Sequence, residues 1–404
     1  MINLDTPGHI SQLLRHLTDN GYPAFLVGGC VRDAVMGRPV NDWDVATAAT
    51  PVDIARLFPK TFLTGEKFGT VTVLTPEDQV EVTTFRTEGA YYDGRRPAHV
   101  EFVSSLEEDL SRRDFTINAM AMSSDGELVD PFGGIKDIEN RVIRCVGGPN
   151  TRFSEDSLRM FRAFRFSAQL GFDIEQETLL AIYANANRAK LISTERIRVE
   201  LEKTLMSHKP EIAGEMVKIG LMSRYVASVG RNPADLERIA KLPMESAIRW
   251  CAFCAILARE RLIGSAAEFL RDVRLDGKTI RTCLRALSIT DFPDDSIGIK
   301  ALCAKCGVDS VRCAAAASEA INGGSALQRV GEIIASGECF SLNKLAVTGS
   351  DLIAAGHPPG RELGLSLEKL LAHVIERPED NVREALLELA ARWSQSPLFK
   401  EGGA

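Results

Sequence analysis

Along this chain the spacing of hydrophobic positions changes character once. Near the start Ile10, Leu13, Leu14 and Leu17 recur at the period of an amphipathic helix, with Thr6-Pro7 ahead of them and Gly21 behind. A capping threonine, a proline in the first turn and a glycine stop bound such a helix. From there to about residue 145, short β-branched or alternating runs recur at residues 24–27, 43–46, 70–74, 80–85, 100–103 and 119–123. They predict strands, and with helical pieces between them the segment reads as a mixed α/β domain. After Gly147-Gly148-Pro149 nearly everything to Trp393 follows the helical period and is rich in Ala, Leu, Arg and Glu. Glycine and proline break this region at Gly171, Pro210, Pro243, Pro293 and His357-Pro358-Pro359-Gly360. The expected fold class is α+β: a mixed α/β head over residues 1–147, a helical neck over 148–206, and a helical body and tail over 207–404. No fixed-period repeat is visible, which argues against a solenoid.

Composition narrows the classes. A chain of 404 residues exceeds one ordinary core and suggests two to four domains. With 45% hydrophobic and 25% charged residues it is an ordinary globular protein, neither disordered nor collagen-like. No apolar run approaches the roughly 20 residues that span a bilayer, and the first ten residues do not read as a signal peptide. Cytoplasm is therefore expected, with no membrane partner. A net charge of −7 argues against coating nucleic acid by charge alone. It leaves room for a local basic groove, for which Arg152, Arg159, Arg162, Arg165, Arg188, Lys190, Arg196 and Arg198 are the candidates. The Cys251/Cys254 and Cys303/Cys306 pairs have a zinc-like spacing, but both lie in alanine-rich helical segments where cysteine serves as a small buried apolar residue.

The most informative segment is residues 25–50, FLVGGCVRDAVMGRPVNDWDVATAAT. A strand ending in Gly28-Gly29 and running into a helix that carries Arg32 offers backbone N–H groups and a guanidinium to a phosphate chain. Alone, a glycine pair at such a turn answers only a backbone need. Its meaning comes from Asp42 and Asp44, which flank Trp43 at the start of a β-type run, where residues i and i+2 share a face. Two adjacent carboxylates repel unless cations lie between them, and magnesium favours such hard oxygen ligands. Two metals roughly 3.5–4 Å apart can activate an attacking hydroxyl and stabilise a leaving pyrophosphate. A polar turn with Asp42 as a cap would suit a lone Asp-x-Asp; beside Gly-Gly-x-x-Arg that reading loses weight. Glu81, on a later strand, is a candidate further carboxylate.

LVGGCVRD at 26–33 followed by NDWDVAT at 41–47 resembles the head of the polymerase-β-like nucleotidyltransferase superfamily, specifically the bacterial and eukaryotic class of CCA-adding enzymes and their poly(A) polymerase relatives. RRDFTINAMA at 112–121 is similar to the second motif of that class, and SEDSLRMFRAFRF at 154–166 to its nucleotide-selecting motif. STERIRVELEKTL at 193–205 looks like its neck helix, while TGSDLIAAGHPPGRELG and PEDNVREALLELA match its C-terminal region more loosely. The resemblance implies a catalytic nucleotidyltransferase head, a nucleotide-selecting neck and an RNA-binding body. It implies addition of C and A from CTP and ATP to the 3′ end of a tRNA, with Mg²⁺ held by the catalytic Asp42 and Asp44 and pyrophosphate released. A poly(A) polymerase, or an enzyme limited to CC or to A addition, is the alternative on the same scaffold. A catalytically dead RNA-binding protein is the alternative of another class, disfavoured by the intact aspartate pair.

Arg112 and Arg113 are adjacent and cannot share one face of a regular element, so one of them is expected at the triphosphate. The resemblance points to Arg113, with Asp114 and Asn118 near the sugar. A helix over the third motif would set Asp156, Arg159, Arg162 and Arg165 along one ridge. As a bare i, i+3 ion pair this would be worth little. Yet an aspartate accepting from an exocyclic amine beside an arginine donating to a ring nitrogen matches the edges of cytosine and adenine and mismatches uracil and guanine. The resemblance gives that protein-template role to Asp156 and Arg159. It gives phosphate or backbone contacts to Arg162 and Arg165, which join Gly28, Gly29, Arg32 and Arg113 as the nucleotide-binding set. Residues 84–102 are expected to form a mobile loop that helps switch selection from C to A, or else a plain surface connection.

Overall fold

The computed structural model describes residues 6–89, 100–227 and 230–394. They fall into two compact units, Met1–Asn232 and Pro233–Ala404.

In the first unit, β1 (Ala24–Val27), β2 (Asp44–Thr47), β3 (Thr61–Gly65), β4 (Thr70–Leu74) and β5 (Gln79–Thr84) are followed by a separate antiparallel ribbon, β6 (Arg86–Glu88) and β7 (Val100–Phe102). β8 (Ala121–Ser123) and β9 (Leu128–Val129) complete a seven-stranded sheet in the order β3-β4-β5-β2-β1-β8-β9. Only the β2–β5 pairing in it is parallel. On β5 the pleat buries Val80, Val82 and Thr84 and turns Gln79 and Glu81 outward. The β-branched buried face packs on α1 (Gly8–Asp19), whose Ile10, Leu13, Leu14 and Leu17 are the stripe read from the sequence. Burial of each such side chain contributes about 1.5–3 kcal/mol. The residue that enters α1 is Pro7 and no side chain caps it, so Thr6 does not act as the expected cap.

The helices α2 (Gly29–Val35), α3 (Pro51–Leu57), α4 (Leu106–Ser111) and α5 (Gly134–Glu139) lie among these strands. Over the expected neck, residues 148–206, lie α6 (Pro149–Glu155), α7 (Leu158–Leu170), α8 (Gln176–Asn185) and α9 (Thr194–Leu205), with α10 (Ile212–Ile219) beyond it. The neck is not wholly helical: β10 (Val142–Ile143) pairs in parallel with β11 (Asp173–Ile174), a short strand inside it. The helix expected across residues 154–166 is also interrupted. Asp156 sits between α6 and α7 with extended backbone, φ −135° and ψ 103°.

The second unit is helical, with α11 (Ser246–Arg259), α12 (Ala266–Asp272), α13 (Gly277–Leu287), α14 (Ser296–Cys306), α15 (Val308–Asn322), α16 (Ala326–Ala335), α17 (Gly349–Ala354), α18 (Arg361–Glu376) and α19 (Arg383–Ser394). Cys251 and Cys254 on α11 are fully buried and Cys303 on α14 nearly so, among apolar neighbours, with every cysteine a free thiol. Among the described residues no helix is long and apolar enough to cross a membrane.

Candidate active site

Sheet register brings the first motif to one edge. β1 and β2 run antiparallel with Leu26 opposite Val45, so the end of β1 lies beside the start of β2, and Asp44 stands opposite Glu81 of β5. The chain leaves β1 through Gly28, at φ +78°, and enters α2 at Gly29. A Cβ on Gly28 would sit 3.0 Å from Arg113 Nη1 and 3.8 Å from Asp44 Oδ2. Glycine is thus required twice, by the left-handed backbone and by the close approach of the arginine. Gly28→Ala should cost about 1–2 kcal/mol of backbone strain and displace Arg113. Steady-state kinetics should show kcat/KM for nucleotide falling about tenfold or more for a guanidinium moved off its position. An unchanged value would detach Gly28 from the site.

Asp42 lies just ahead of β2 and Asp44 is its first residue, both exposed on a cleft of about 910 Å³. Neither side chain hydrogen-bonds or ion-pairs with a described residue. Partial desolvation raises the Asp44 pKa, Arg113 pulls it down, and Glu81 and Asp42 push it up again. This is a carboxylate under like-charge pressure, a donor set that suits a cation. Among the described residues no group of three or more His, Cys, Asp or Glu side chains converges on a metal position. Magnesium is commonly held by one or two carboxylates with substrate phosphates and water completing its shell, and Asp42 with Asp44 fits that pattern.

The cationic side of the cleft is held by buried carboxylates. Arg32, on α2, is buried; its Nε and Nη2 bond to Asp33 at 3.0 and 2.9 Å and its Nη1 to Asn118 at 2.7 Å. Asp114 accepts from Arg162 at 2.6 Å and from the Asn118 amide at 3.1 Å. Burial alone would raise the Asp114 pKa, but Arg162 and Asn118 bring it down to about 2. Arg165 pairs with Glu200 of α9 at 2.7 Å, and burial lowers its pKa to about 10 against the pull of that glutamate. The guanidiniums of Arg32, Arg162 and Arg165 lie 5.2, 5.3 and 4.0 Å from the Phe166 ring centroid, within cation–π range.

Asp156 and Arg159 face the same cleft but do not share a helix face. The break between α6 and α7 lets Asp156 accept from Leu158 N at 3.0 Å, and from Arg196 of α9 through both oxygens at 3.1 and 2.7 Å. Arg159 donates to Glu155 at 2.6 Å, to the Arg152 carbonyl at 3.3 Å and to the Arg112 carbonyl at 2.7 Å. The i, i+3 ion pair that would have made this motif a solvated helix surface is therefore not formed. A carboxylate has about four lone-pair sites and a guanidinium five N–H groups. Asp156 Oδ2 thus keeps one acceptor site and Arg159 two donors beyond the bonds just named.

The profile of the poly(A) polymerase head domain matches residues 24–144, that of the RNA and SrmB-binding site of polymerase A residues 171–225, and that of tRNA nucleotidyltransferase domain 2 residues 244–390. The CCA-adding enzyme of Lacticaseibacillus paracasei is 36% identical over 96% of both chains, and that of a Geobacillus species 39% identical over 93% of this chain and 95% of its own. The crystal structure of the Bacillus stearothermophilus CCA-adding enzyme in complex with CTP is 32% identical and superposes with a TM-score of 0.77, covering 97% of this chain and 98% of that one. The chain belongs to the CCA-adding enzyme family.

The ten residues expected to bind metal or nucleotide all line the one cleft, as do Asp114 and Asn118, whereas Glu81, the candidate further carboxylate, stands opposite Asp44 in the sheet but is not among the lining residues. Several supports of this family member's cleft were not singled out. Arg196 appeared only as part of a basic concentration, and Glu200 not at all, yet from α9 Arg196 lines the cleft and Glu200 pairs with the cleft-lining Arg165. Their i, i+4 spacing, with charges opposite to Asp156 and Arg165, is the signal that could have found them. Nor is that concentration an open basic groove, since Arg152 and Arg159 share Glu155, Arg198 holds Glu202, and Arg188 bonds to the Ser154 carbonyl. The ribbon arms β6 and β7 are the described ends of the expected loop; residues 90–99 at its centre lie outside the described residues.

Proposed function

We propose that this protein, in the cytoplasm, adds C and A from CTP and ATP to the 3′ end of tRNA, releasing pyrophosphate. The observation that carries the reading is the opposition, within one cleft, of two aspartates that have no side-chain partner among the described residues and an Asp–Arg pair with an acceptor and donors beyond its described bonds. In this reading the RNA 3′-hydroxyl attacks the α-phosphate in line. Asp42 and Asp44 would hold Mg²⁺, which when bound would supply Lewis-acid activation of that hydroxyl and stabilisation of the leaving pyrophosphate. Gly28, Gly29, Arg32 and Arg113 bind and orient the triphosphate, and Arg162 and Arg165 support it from α7. Asp156 accepts the amine of either base and Arg159 donates to the ring nitrogen. Head and neck thus divide catalysis from base choice, while the helical remainder grips the acceptor by shape and phosphate contacts. The match to the tRNA nucleotidyltransferase domain over residues 244–390 supports that last assignment.

A tRNA lacking its terminal C, C and A should gain two C residues with CTP alone and the full CCA with CTP and ATP together. Product sizing checks this. A long tail made with ATP alone would instead identify a poly(A) polymerase, and the absence of any magnesium-dependent pyrophosphate release would make the chain a non-catalytic RNA-binding protein.

A further inference from the structure

Beneath the cleft, and not lining it, lies Asp109 on α4, with no exposed surface at all. Its Oδ1 accepts from Arg112 Nε at 3.0 Å and Nη2 at 2.8 Å, and from the Arg86 backbone N at 3.3 Å. Its Oδ2 accepts from Arg113 Nη2 at 3.2 Å. A buried carboxylate is tolerated when its oxygens are paired in this way. Here the partners point on into the site. Arg113 turns its other amino group, Nη1, toward Gly28 and Asp44. The carbonyl of Arg112 receives Arg159 Nη2 at 2.7 Å.

We propose that Asp109 is a positioning residue for nucleotide binding, fixing Arg113 beside the triphosphate and, through Arg112, fixing the base-reading Arg159. The proposal rests on the function set out above and adds to it a residue that never touches the nucleotide. An arginine side chain has many rotamers, and a guanidinium tethered at one edge presents the other edge in a single orientation. The same carboxylate also takes the backbone of β6, so the base of the ribbon shares the anchor. A purely structural ion pair would hold α4 in place without affecting how nucleotides are bound.

The test is Asp109→Asn in the full chain, which keeps shape and removes charge. With a tRNA lacking CCA as acceptor for CTP and one ending in CC as acceptor for ATP, KM for each nucleotide should rise about tenfold, a loss of the size expected for weakened charge-assisted bonds. The inhibition constant of pyrophosphate should rise in parallel, discrimination against UTP should fall, and the tRNA Kd should stay within about twofold. In an Arg113→Ala background the same change should add less than about threefold to KM, because its effect on KM passes through Arg113, while the route through Arg112 to Arg159 is read in the discrimination against UTP. Unchanged nucleotide KM with only a lower Tm, or the full effect retained without Arg113, would overturn the proposal. Should the single variant not fold, Asp109→Asn with Arg112→Gln removes the carboxylate and one of its two cations together, and the same readouts decide. Failure of the unmodified protein to add C and A would instead count against the function itself.

Discussion

Asp42→Ala or Asp44→Ala should lower kcat for nucleotide transfer by about 10³-fold or more while leaving tRNA affinity within about twofold. Metal-assisted charge stabilisation supplies several kcal/mol to such transition states, and about 4 kcal/mol is a factor of about 10³. The acceptor is gripped elsewhere, so its binding should survive. Thermal stability carries a second, opposite expectation. Asp44 is under pressure from Asp42 and Glu81, and deleting one of three crowded carboxylates relieves repulsion. Arg113 keeps Asp109 as its partner when Asp44 is gone. The Asp44 variant should therefore melt at the same temperature as the parent or slightly above it, as at sites where function is kept at a cost in stability. Because the raised pKa belongs to a group that must be ionised to bind a cation, activity should fall with decreasing pH sooner than an ordinary carboxylate would dictate. Turnover within tenfold of the parent in either variant would remove that residue from the metal site.

The head was legible because its signals are local. The strands expected at 24–27 and 70–74 have those bounds in the structure, because each is a short apolar or β-branched run, mostly buried, ended by turn residues. β3, with Phe62 and Leu63 exposed on the sheet edge, carries no such buried run and is not expected from the sequence. The motif residues stand out in the sequence because phosphate and metal chemistry demands particular side chains at particular spacings, and the fold gathers them in one cleft. What could not be read was how charges pair across sequence. Arg196 reaches Asp156 over 40 residues, and Arg162 reaches Asp114 over 48. Apart from the i, i+4 spacing of Arg196 and Glu200, nothing local records such a partnership, and that spacing does not name the partner. The break at Asp156 was hidden for a related reason: residues 154–166 carry helical periodicity throughout, yet Asp156 takes an extended conformation and both Arg196 and Leu158 N bond to its carboxylate.

Under the proposed function that break makes Asp156→Ala the variant with the most specific expected result. The carboxylate is held by Arg196 with one acceptor site spare, so in this reading its loss removes the acceptor for the amine of C or A and leaves Arg196 and Arg159 both able to donate. Donors alone suit the carbonyl oxygens of U and G. Each lost hydrogen bond in a selective buried site costs on the order of 1–3 kcal/mol, about tenfold or more in discrimination. Releasing Arg196 from its partner should also lower stability, by a similar order for a pair this sheltered. A surface ion pair would instead change stability by a fraction of a kcal/mol and leave base choice alone. The decisive measurement is kcat/KM for CTP and UTP on a tRNA lacking its 3′ CCA, and for ATP and GTP on one already ending in CC, with the parent and with Asp156→Ala. A side-chain template predicts strong preference for C and A in the parent and a CTP-to-UTP ratio lowered about tenfold or more in the variant; an unchanged ratio would contradict it.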